Sequence, residues 1–532
     1  MKNYTFLLKY IKKLKGKIIL AFVCTLLSSL ATILPPYISK IILDEGIYKN
    51  KVNIIVSFSI ILVIIYILSF GIKYALGVIL SYASSTFISE LKKGLFERIL
   101  QMPMPYFDKQ QNGYITERIR EVDSINVIFS PIFVQFLVSC ISFIGAISIV
   151  FTMEKKLLFV ILGIAPFFFF MTRYTSKNLR SASKALLEAT AQTSGKMQEN
   201  IGGIAEVKSL NIEKKRILEV NKQISEVAKK TAKKGKLLSL GSEGVQALTN
   251  ISSVILLLVA GILIIGDTLT IGEYLAISQY AAIIFMPIQL FSNFNMMIQP
   301  AIAALKRVAL LFTVETESNI GTEMTGRIKK IEFKDVTFSY DNKKNVFANK
   351  TFTIGDKEKI ALVGANGSGK STIIKLILKL YQVNRGAIFI NDIDINEIDA
   401  SSLRRRIGIV SQNIFLFSGS LRENLKLVRE KTTDLEIKEA LSKSGWDEIN
   451  LDMYISEGGK NLSGGQKQKI AIARMLILNA DVLIFDEATA NLDIESKAII
   501  ENAIKYAFKE KTCIFITHDT ELLQYMERTI QL

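Results

Sequence analysis

Histidine is almost absent from this chain. Its 532 residues hold one, His518, beside one tryptophan and three cysteines. That excludes histidine-rich metal sites, and Cys24, Cys140 and Cys513 give neither a disulfide framework nor a CxxC metal spacing. Charge is also scarce, at 22% of residues against about 25% in an average soluble domain. The mean hydropathy of +0.31 is high for a soluble particle. The net charge of +17 would suit a nucleic-acid binder, but its distribution argues otherwise. Residues 1–326 carry 35 Lys and Arg against 21 Asp and Glu, while residues 327–532 carry 31 against 28. The excess sits in the apolar half, as it does at the cytoplasmic ends of membrane helices. No nucleic-acid partner is expected.

About 20 apolar residues are needed to cross a bilayer. Six runs qualify or nearly so: Ile18–Ile38, Asn53–Gly71, Ser124–Met153, Leu157–Thr172, Val245–Ile265 and Ile271–Pro287. Lysines 2, 9, 12, 13, 15 and 17 precede the first, and no small-residue cleavage site follows it, so it reads as an uncleaved helix with a cytoplasmic N-terminus. Orientation then alternates. The outside turns, Ser39–Val52, Glu154–Lys156 and Gly266–Thr270, are short, and the inside segments, about 81–123 and 173–243, are long. The second inside segment carries 15 Lys and Arg against 7 Asp and Glu. Its two arms, about 30 residues each, reach about 45 Å below the lipid as helices. Short crosswise helices are expected near 113–123 and 203–211.

No Asp or Glu lies in the interior of a span, which disfavours a proton- or sodium-coupled pump. Lys73 is the one charge within the spans, about two turns before the cytoplasmic extension; it either snorkels to headgroups or binds substrate, and snorkelling is the preferred reading. Gln135, Gln279, Gln289, Asn293, Asn295 and Gln299, with Tyr66 and Tyr74, either line a cavity or bond between helices.

Composition changes after Gly326. Ile331–Tyr340 alternates as a strand, and Lys359–Val363 forms another that runs into Gly364-Ala365-Asn366-Gly367-Ser368-Gly369-Lys370-Ser371, followed by a helical Thr372–Leu380. This is the phosphate-binding loop in its strand–loop–helix setting. Its glycines let backbone N–H groups converge on a phosphate chain, and the helix dipole adds to them. Lys370 would reach the β- and γ-phosphates of ATP, and Ser371 would bind Mg²⁺. Val482–Glu487 is a buried strand ending in two acids: Asp486 to hold Mg²⁺ and Glu487 to polarise the attacking water.

Leu462-Ser463-Gly464-Gly465-Gln466 matches the signature of the ATP-binding cassette (ABC) ATPases at every position. A chance LSGGQ is on the order of one in a million per position. The resemblance implies that the signature completes the ATP site of a partner cassette, so two cassettes sandwich two nucleotides. It also gives adenine stacking to Tyr340, a contact near Mg²⁺ to Gln412, a cross-dimer contact to Glu457-Gly458, the D-loop to Asn491-Leu492-Asp493, and the γ-phosphate switch to His518. Met102–Asp108, Ile271–Tyr274 and Ala304–Val308 resemble weaker marks of exporter-type half-transporters. The chain ends 14 residues after His518, shorter than is common in that family, which bears on C-terminal dimer contacts.

The resemblance implies an all-α six-helix transmembrane domain (1–310), a linker (311–327) and an α/β P-loop ABC ATPase (328–532), in a domain-swapped dimer of half-transporters. Intact Lys370, Ser463, Glu487 and His518 favour a homodimer. The expected activity is ATP-driven export of a hydrophobic or amphipathic peptide, drug or lipid across a bacterial plasma membrane. An importer of the same architecture and an ATP-gated channel or regulator are the alternatives.

Overall fold

The computed structural model describes residues 5–110, 112–317, 321–341, 343–365, 367–446, 449–487, 508–517 and 520–532. They form two compact units, Met1–Leu100 with Asn112–Val314, and Gln101–Gln111 with Glu315–Leu532.

Helices dominate the first part of the chain: α1 (Thr5–Lys13), α2 (Lys15–Ile41), α3 (Val52–Leu100), α4 (Met104–Lys109), α5 (Asn112–Glu121), α6 (Pro131–Met153), α7 (Lys155–Gly202), α8 (Ile204–Ser209), α9 (Glu213–Ile265) and α10 (Ile271–Thr313). Among the described residues, six stretches centred on α2, α3, α6, α7, α9 and α10 are long and apolar enough to cross a membrane. One of the expected boundaries moves. The run beginning at Ser124 opens as a 3₁₀ turn, Val122–Phe129, and α6 starts only at Pro131. Pro131 has the φ of a first helical residue and lacks the N–H that would be orphaned there, while Ser130 Oγ accepts from Phe133 N at 3.4 Å. The short helices at the two positions expected to carry crosswise pieces are α5 and α8, the latter set off by Gly202-Gly203.

Buried alanines (Ala146, Ala260, Ala276, Ala281) let helix backbones approach in the core of this unit. Phe168 stacks on Phe285 at 4.2 Å, and the Tyr280 hydroxyl donates to the Ile33 carbonyl at 2.8 Å. The Ile271–Tyr274 motif has a packing reason. Thr270 and Glu273 form a capping box, and the Asp44 carboxylate accepts from Thr270 Oγ1 at 2.6 Å and from Gly272 N at 3.0 Å. A Cβ at Gly272 would lie 2.5 Å from Asp44 Oδ1, so the contact needs glycine.

The second unit contains an antiparallel sheet and a parallel one. Its elements are β1 (Ile331–Phe338), β2 (Phe347–Ile354), β3 (Lys359–Val363), α11 (Lys370–Ile377), β4 (Arg385–Ile390), β5 (Ile393–Asp394), α12 (Ala400–Arg404), β6 (Ile407–Val410), β7 (Gly419–Ser420), α13 (Leu421–Lys426), α14 (Asp434–Lys443), β8 (Tyr454–Ile455), α15 (Gly464–Leu478), β9 (Val482–Asp486), β10 (Thr512–Ile516) and β11 (Arg528–Gln531). The antiparallel order is β2-β1-β4-β5, and the parallel order is β11-β3-β10-β9-β6. β3, β9 and β10 are buried almost throughout, as parallel strands covered on both faces must be. Ile516 is in register with both Leu362 and Asp486, so the ends of these three strands meet at one edge. Ligands of open α/β sheets bind at such carboxyl edges.

The short segment Gln101–Gln111 belongs with the second unit rather than with the helices on either side of it. Glu317 N donates to the Gln101 carbonyl at 2.7 Å, Met104 packs on the core of the sheet unit, and Asp108 accepts from the Tyr381 hydroxyl. This departs from a single helical domain spanning residues 1–310.

Candidate functional site

Three strand ends build the site. β3 delivers the loop Gly364–Gly369, and α11 begins at Lys370. Gly369 has φ +99°, and a Cβ there would meet Phe347 Cδ1 at 2.7 Å and Val346 Cγ1 at 2.8 Å. Only glycine makes this turn. The loop curls around Lys370, whose buried ammonium donates to the Gly364 carbonyl at 2.8 Å and the Ala365 carbonyl at 3.1 Å. Ser368 Oγ is buried with no hydrogen-bond partner among the described residues. An orphaned hydroxyl beside a lysine and a helix N-terminus suits a phosphate. Asn366 lies outside the described residues.

At the end of β9, the Ser371 hydroxyl donates to Asp486 Oδ1 at 3.4 Å. Burial raises the Asp486 carboxyl above the ordinary aspartate range, and the Ser371 hydrogen bond opposes that. Hydroxyl and carboxylate oxygens are the hard donors that Mg²⁺ takes alongside phosphate oxygens. Glu487 follows with φ +50°, and its N–H donates to the Ile516 carbonyl at 3.0 Å. Gln412 Nε2 donates to Glu487 Oε2 at 2.5 Å. Ser371, Gln412, Asp486 and Glu487 thus lie beside the lysine loop. Thr517 is described and buried, whereas His518 and Asp493 lie outside the described residues.

Tyr340 stands just past β1, and its hydroxyl is 3.0 Å from Thr372 Oγ1. Its ring is T-shaped to Phe338 at 4.9 Å and to Tyr381 at 5.1 Å. Lys375 Nζ lies 5.3 Å from the Tyr340 ring centroid and 3.8 Å from Asp108 Oδ2. Sequence reasoning missed Lys375 and Tyr381 here. Lys375 reads only as the exposed lysine of an amphipathic helix until α11 brings it beside Tyr340.

The signature begins a helix rather than preceding one. Ser463 is the N-cap of α15, its Oγ accepts from Gln466 N at 3.2 Å, and Gln466 Oε1 accepts from Ser463 N at 2.9 Å. The S-x-x-Q spacing is itself a capping box. Ser463, Gly464 and Gln466 are exposed and Gly465 is half-buried. Among the described residues no hydrogen bond joins this turn to the lysine loop of the same chain.

The helical unit holds a cavity of about 1110 Å³ between α2, α3 and α6, with Ile283 and Met286 of α10 on its wall. Lys73, expected to snorkel outward, lines it. Of the expected amides and tyrosines, Gln135 lines it; Gln279, Gln289, Gln299, Tyr66 and Tyr74 do not, and the side chains of Asn293 and Asn295 lie outside the described residues. Serines supply most of its polar wall, a residue type too common in apolar helices to be singled out from sequence.

Two family descriptions match the chain: the ABC transporter transmembrane region over residues 18–288, and the ABC transporter over residues 347–490. An ATP-dependent lipid A-core flippase of Syntrophus aciditrophicus (strain SB) is 26% identical over 539 residues, spanning 99% of this chain and 89% of its own length. The protein of the same description from Vibrio vulnificus (strain YJ016) is 28% identical over 543 residues, spanning 98% and 91%. Among solved structures, a bacterial Atm1-family ABC exporter with ATP bound shares the fold at a TM-score of 0.82 and 21% identity, covering 98% of this chain and 93% of that one. Six apolar helices joined on one polypeptide to a phosphate-loop ATPase unit make this chain a member of the ABC transporter family, a multi-pass membrane protein that binds ATP and couples its hydrolysis to transport.

Proposed function

We propose that two identical copies of this chain clasp two ATP molecules and use their hydrolysis to export an amphipathic, lipid-like substrate across a bacterial inner membrane. The N-terminus and the ATPase unit then lie in the cytoplasm. The lysine-rich segment between residues 173 and 243 supports that orientation, and the relatives described as lipid A-core flippases support the lipid-like class.

One observation carries the chemistry: the Gln412–Glu487 bond of 2.5 Å, next to the Ser371–Asp486 pair and the lysine loop. In this reading Tyr340 stacks on adenine, and the loop residues Gly364 to Thr372 wrap the phosphates. Ser463 to Gln466 of one copy reach the γ-phosphate held by Lys370 of the other. Ser371 and Asp486, with Gln412 nearby, would hold Mg²⁺, which would supply charge neutralisation. A water oxygen attacks the γ-phosphorus while Glu487 takes up its proton, and the bond to the ADP oxygen breaks. Lys370 and His518 stabilise the charge on the transferring group. Asp493 links the two sites. Closing the cassettes moves the helices only because ATP binds the closed state more tightly.

The test is Glu487→Gln in lipid nanodiscs. ATP binding stays within twofold of wild type and hydrolysis falls by about 10²–10⁴, the span for losing a general base. Substrate uptake into inside-out vesicles stops with it. Undiminished hydrolysis would overturn the assignment of Glu487.

A further inference from the structure

A second lysine of α11 sits over the aromatic ring assigned to the base. The helix starts at Lys370 and carries Lys375 in its second turn, about 7.5 Å further along the axis. Phosphates belong at the helix start, so the charge of Lys375 is directed elsewhere. Its ammonium is 5.3 Å from the centroid of the Tyr340 ring, 5.5 Å from that of Tyr381 and 3.8 Å from Asp108 Oδ2. Asp108 in turn accepts from the hydroxyl of Tyr381, which is buried. One lysine, two tyrosines and one aspartate therefore close on one another.

Tyr340 is the member that the arrangement constrains most usefully. It stands just past β1 with 42% of its surface exposed, where a side chain ordinarily samples several rotamers. Here its hydroxyl is 3.0 Å from Oγ1 of the buried Thr372, and its ring is perpendicular to those of Phe338 and Tyr381. The ammonium covers one face of the ring, which leaves the other for a planar ligand. A cation over a tyrosine face is held by the ring quadrupole, and a ring fixed before its ligand arrives loses less freedom when the two stack.

We propose that Lys375 is a positioning residue for the nucleotide base: it holds the Tyr340 ring in its stacking orientation, and Asp108, anchored by Tyr381, holds Lys375. The proposal rests on the reading that adenine stacks on Tyr340. An ion pair formed for stability is the poorer account of Lys375. Its side chain and that of Asp108 are 35% and 40% exposed and meet only at 3.8 Å, and surface pairs of that kind are worth little. A second phosphate ligand is poorer still, given the offset along α11 from Lys370.

The test compares ATP with tripolyphosphate, which has the phosphate chain and no base, on the full-length protein in lipid nanodiscs with Mg²⁺. Lys375→Met keeps the length of the side chain and removes its charge. It raises the KM for ATP about fivefold, the loss of one cation–π contact, while kcat stays within twofold of wild type and shows that the variant is folded. The inhibition constant of tripolyphosphate against ATP stays at its wild-type value. Lys375→Arg restores the KM, because a guanidinium also sits over aromatic faces. Tyr340→Leu raises the KM about tenfold, the loss of a base stack, and adding Lys375→Met to it raises the KM no further. An unchanged KM in Lys375→Met, an equal rise in the tripolyphosphate constant, or the full fivefold effect on the Tyr340→Leu background would each overturn the proposal. If Tyr340→Leu leaves the KM unchanged, the stacking reading falls and the proposal with it. If Tyr340→Leu raises the KM and Lys375→Met does not, the stacking reading stands and the proposal alone falls.

Discussion

Replacing Gly464 with leucine separates what a single copy needs from what a pair needs. Gly464 is the first residue of α15, its φ is not positive, and a Cβ there meets nothing within 4 Å. The capping box runs between Ser463 and Gln466 and does not involve the side chain at 464. Glycine is about 1 kcal/mol worse than good helix formers inside a helix and less so at the first turn, so the variant gains up to about 1 kcal/mol. The only tryptophan, Trp446, is buried in the cluster that includes Leu462 and Ile470, so its fluorescence follows unfolding of this unit. The unfolding midpoint should stay or rise, and ATP binding at the lysine loop should be unchanged. Hydrolysis should nevertheless fall by about 10² or more, the cost of spoiling a preorganised anion contact in the transition state. Gly464→Leu co-expressed with Lys370→Ala gives the decisive mixture. Each mixed pair carries one site with an intact lysine and an intact signature, so activity returns to a fraction of wild type. Wild-type hydrolysis by Gly464→Leu alone, or no recovery on mixing, would refute reciprocal sites.

Gly369→Ala has the opposite profile: strained φ and contacts of 2.7 and 2.8 Å cost about 2–4 kcal/mol, so ATP binding measured with a fluorescent analogue weakens at least about thirtyfold. Asp486→Asn raises the unfolding midpoint of the nucleotide-free protein at neutral pH. Burial raises the folded-state pKa of this acid, so folding stability falls as pH rises above the unfolded value of about 3.9, and the gain from the amide shrinks as pH drops toward that value. Thermal melts at pH 7.5 and pH 5 check the sign. Arg404→Ala lowers the midpoint, because Arg404 donates to both Glu317 carboxylate oxygens at 2.9 Å and to the Leu378 and Lys379 carbonyls beyond α11; the loss of about 1–3 kcal/mol is read by Trp446 fluorescence.

The ATPase unit was readable because its motifs combine spacing with backbone demands. Lys359–Val363 was expected as a strand and is β3 residue for residue, since a run buried on both faces cannot be anything shorter or more polar. The signature helix begins at Gly464, inside the motif, because the serine and glutamine of the motif cap it themselves. Ser130-Pro131 held the true start of α6, but hydropathy alone extended the run back to Ser124. Lys73 and the serines of α2, α3 and α6 share a wall because helix faces from distant stretches of chain converge, which no local pattern records. The attachment of Gln101–Gln111 to the sheet unit was hidden likewise, since Tyr381 and Asp108 lie 273 positions apart.

The two longest helices have a mechanical consequence. α7 and α9 run unbroken for 48 and 53 residues and pack against each other along their length. At 1.5 Å per residue they are rods of about 72 and 80 Å. Braced as a pair, they resist bending, so a rotation at one end appears at the other multiplied by that length. A tilt of about 5° at the membrane end sweeps the α8 tip through about 6–7 Å, more than one helical turn of 5.4 Å. Such a lever converts a change too small to disturb packing inside the bilayer into a displacement comparable with a whole element, and inserting a glycine pair midway along both rods would spoil the gain while leaving each end folded.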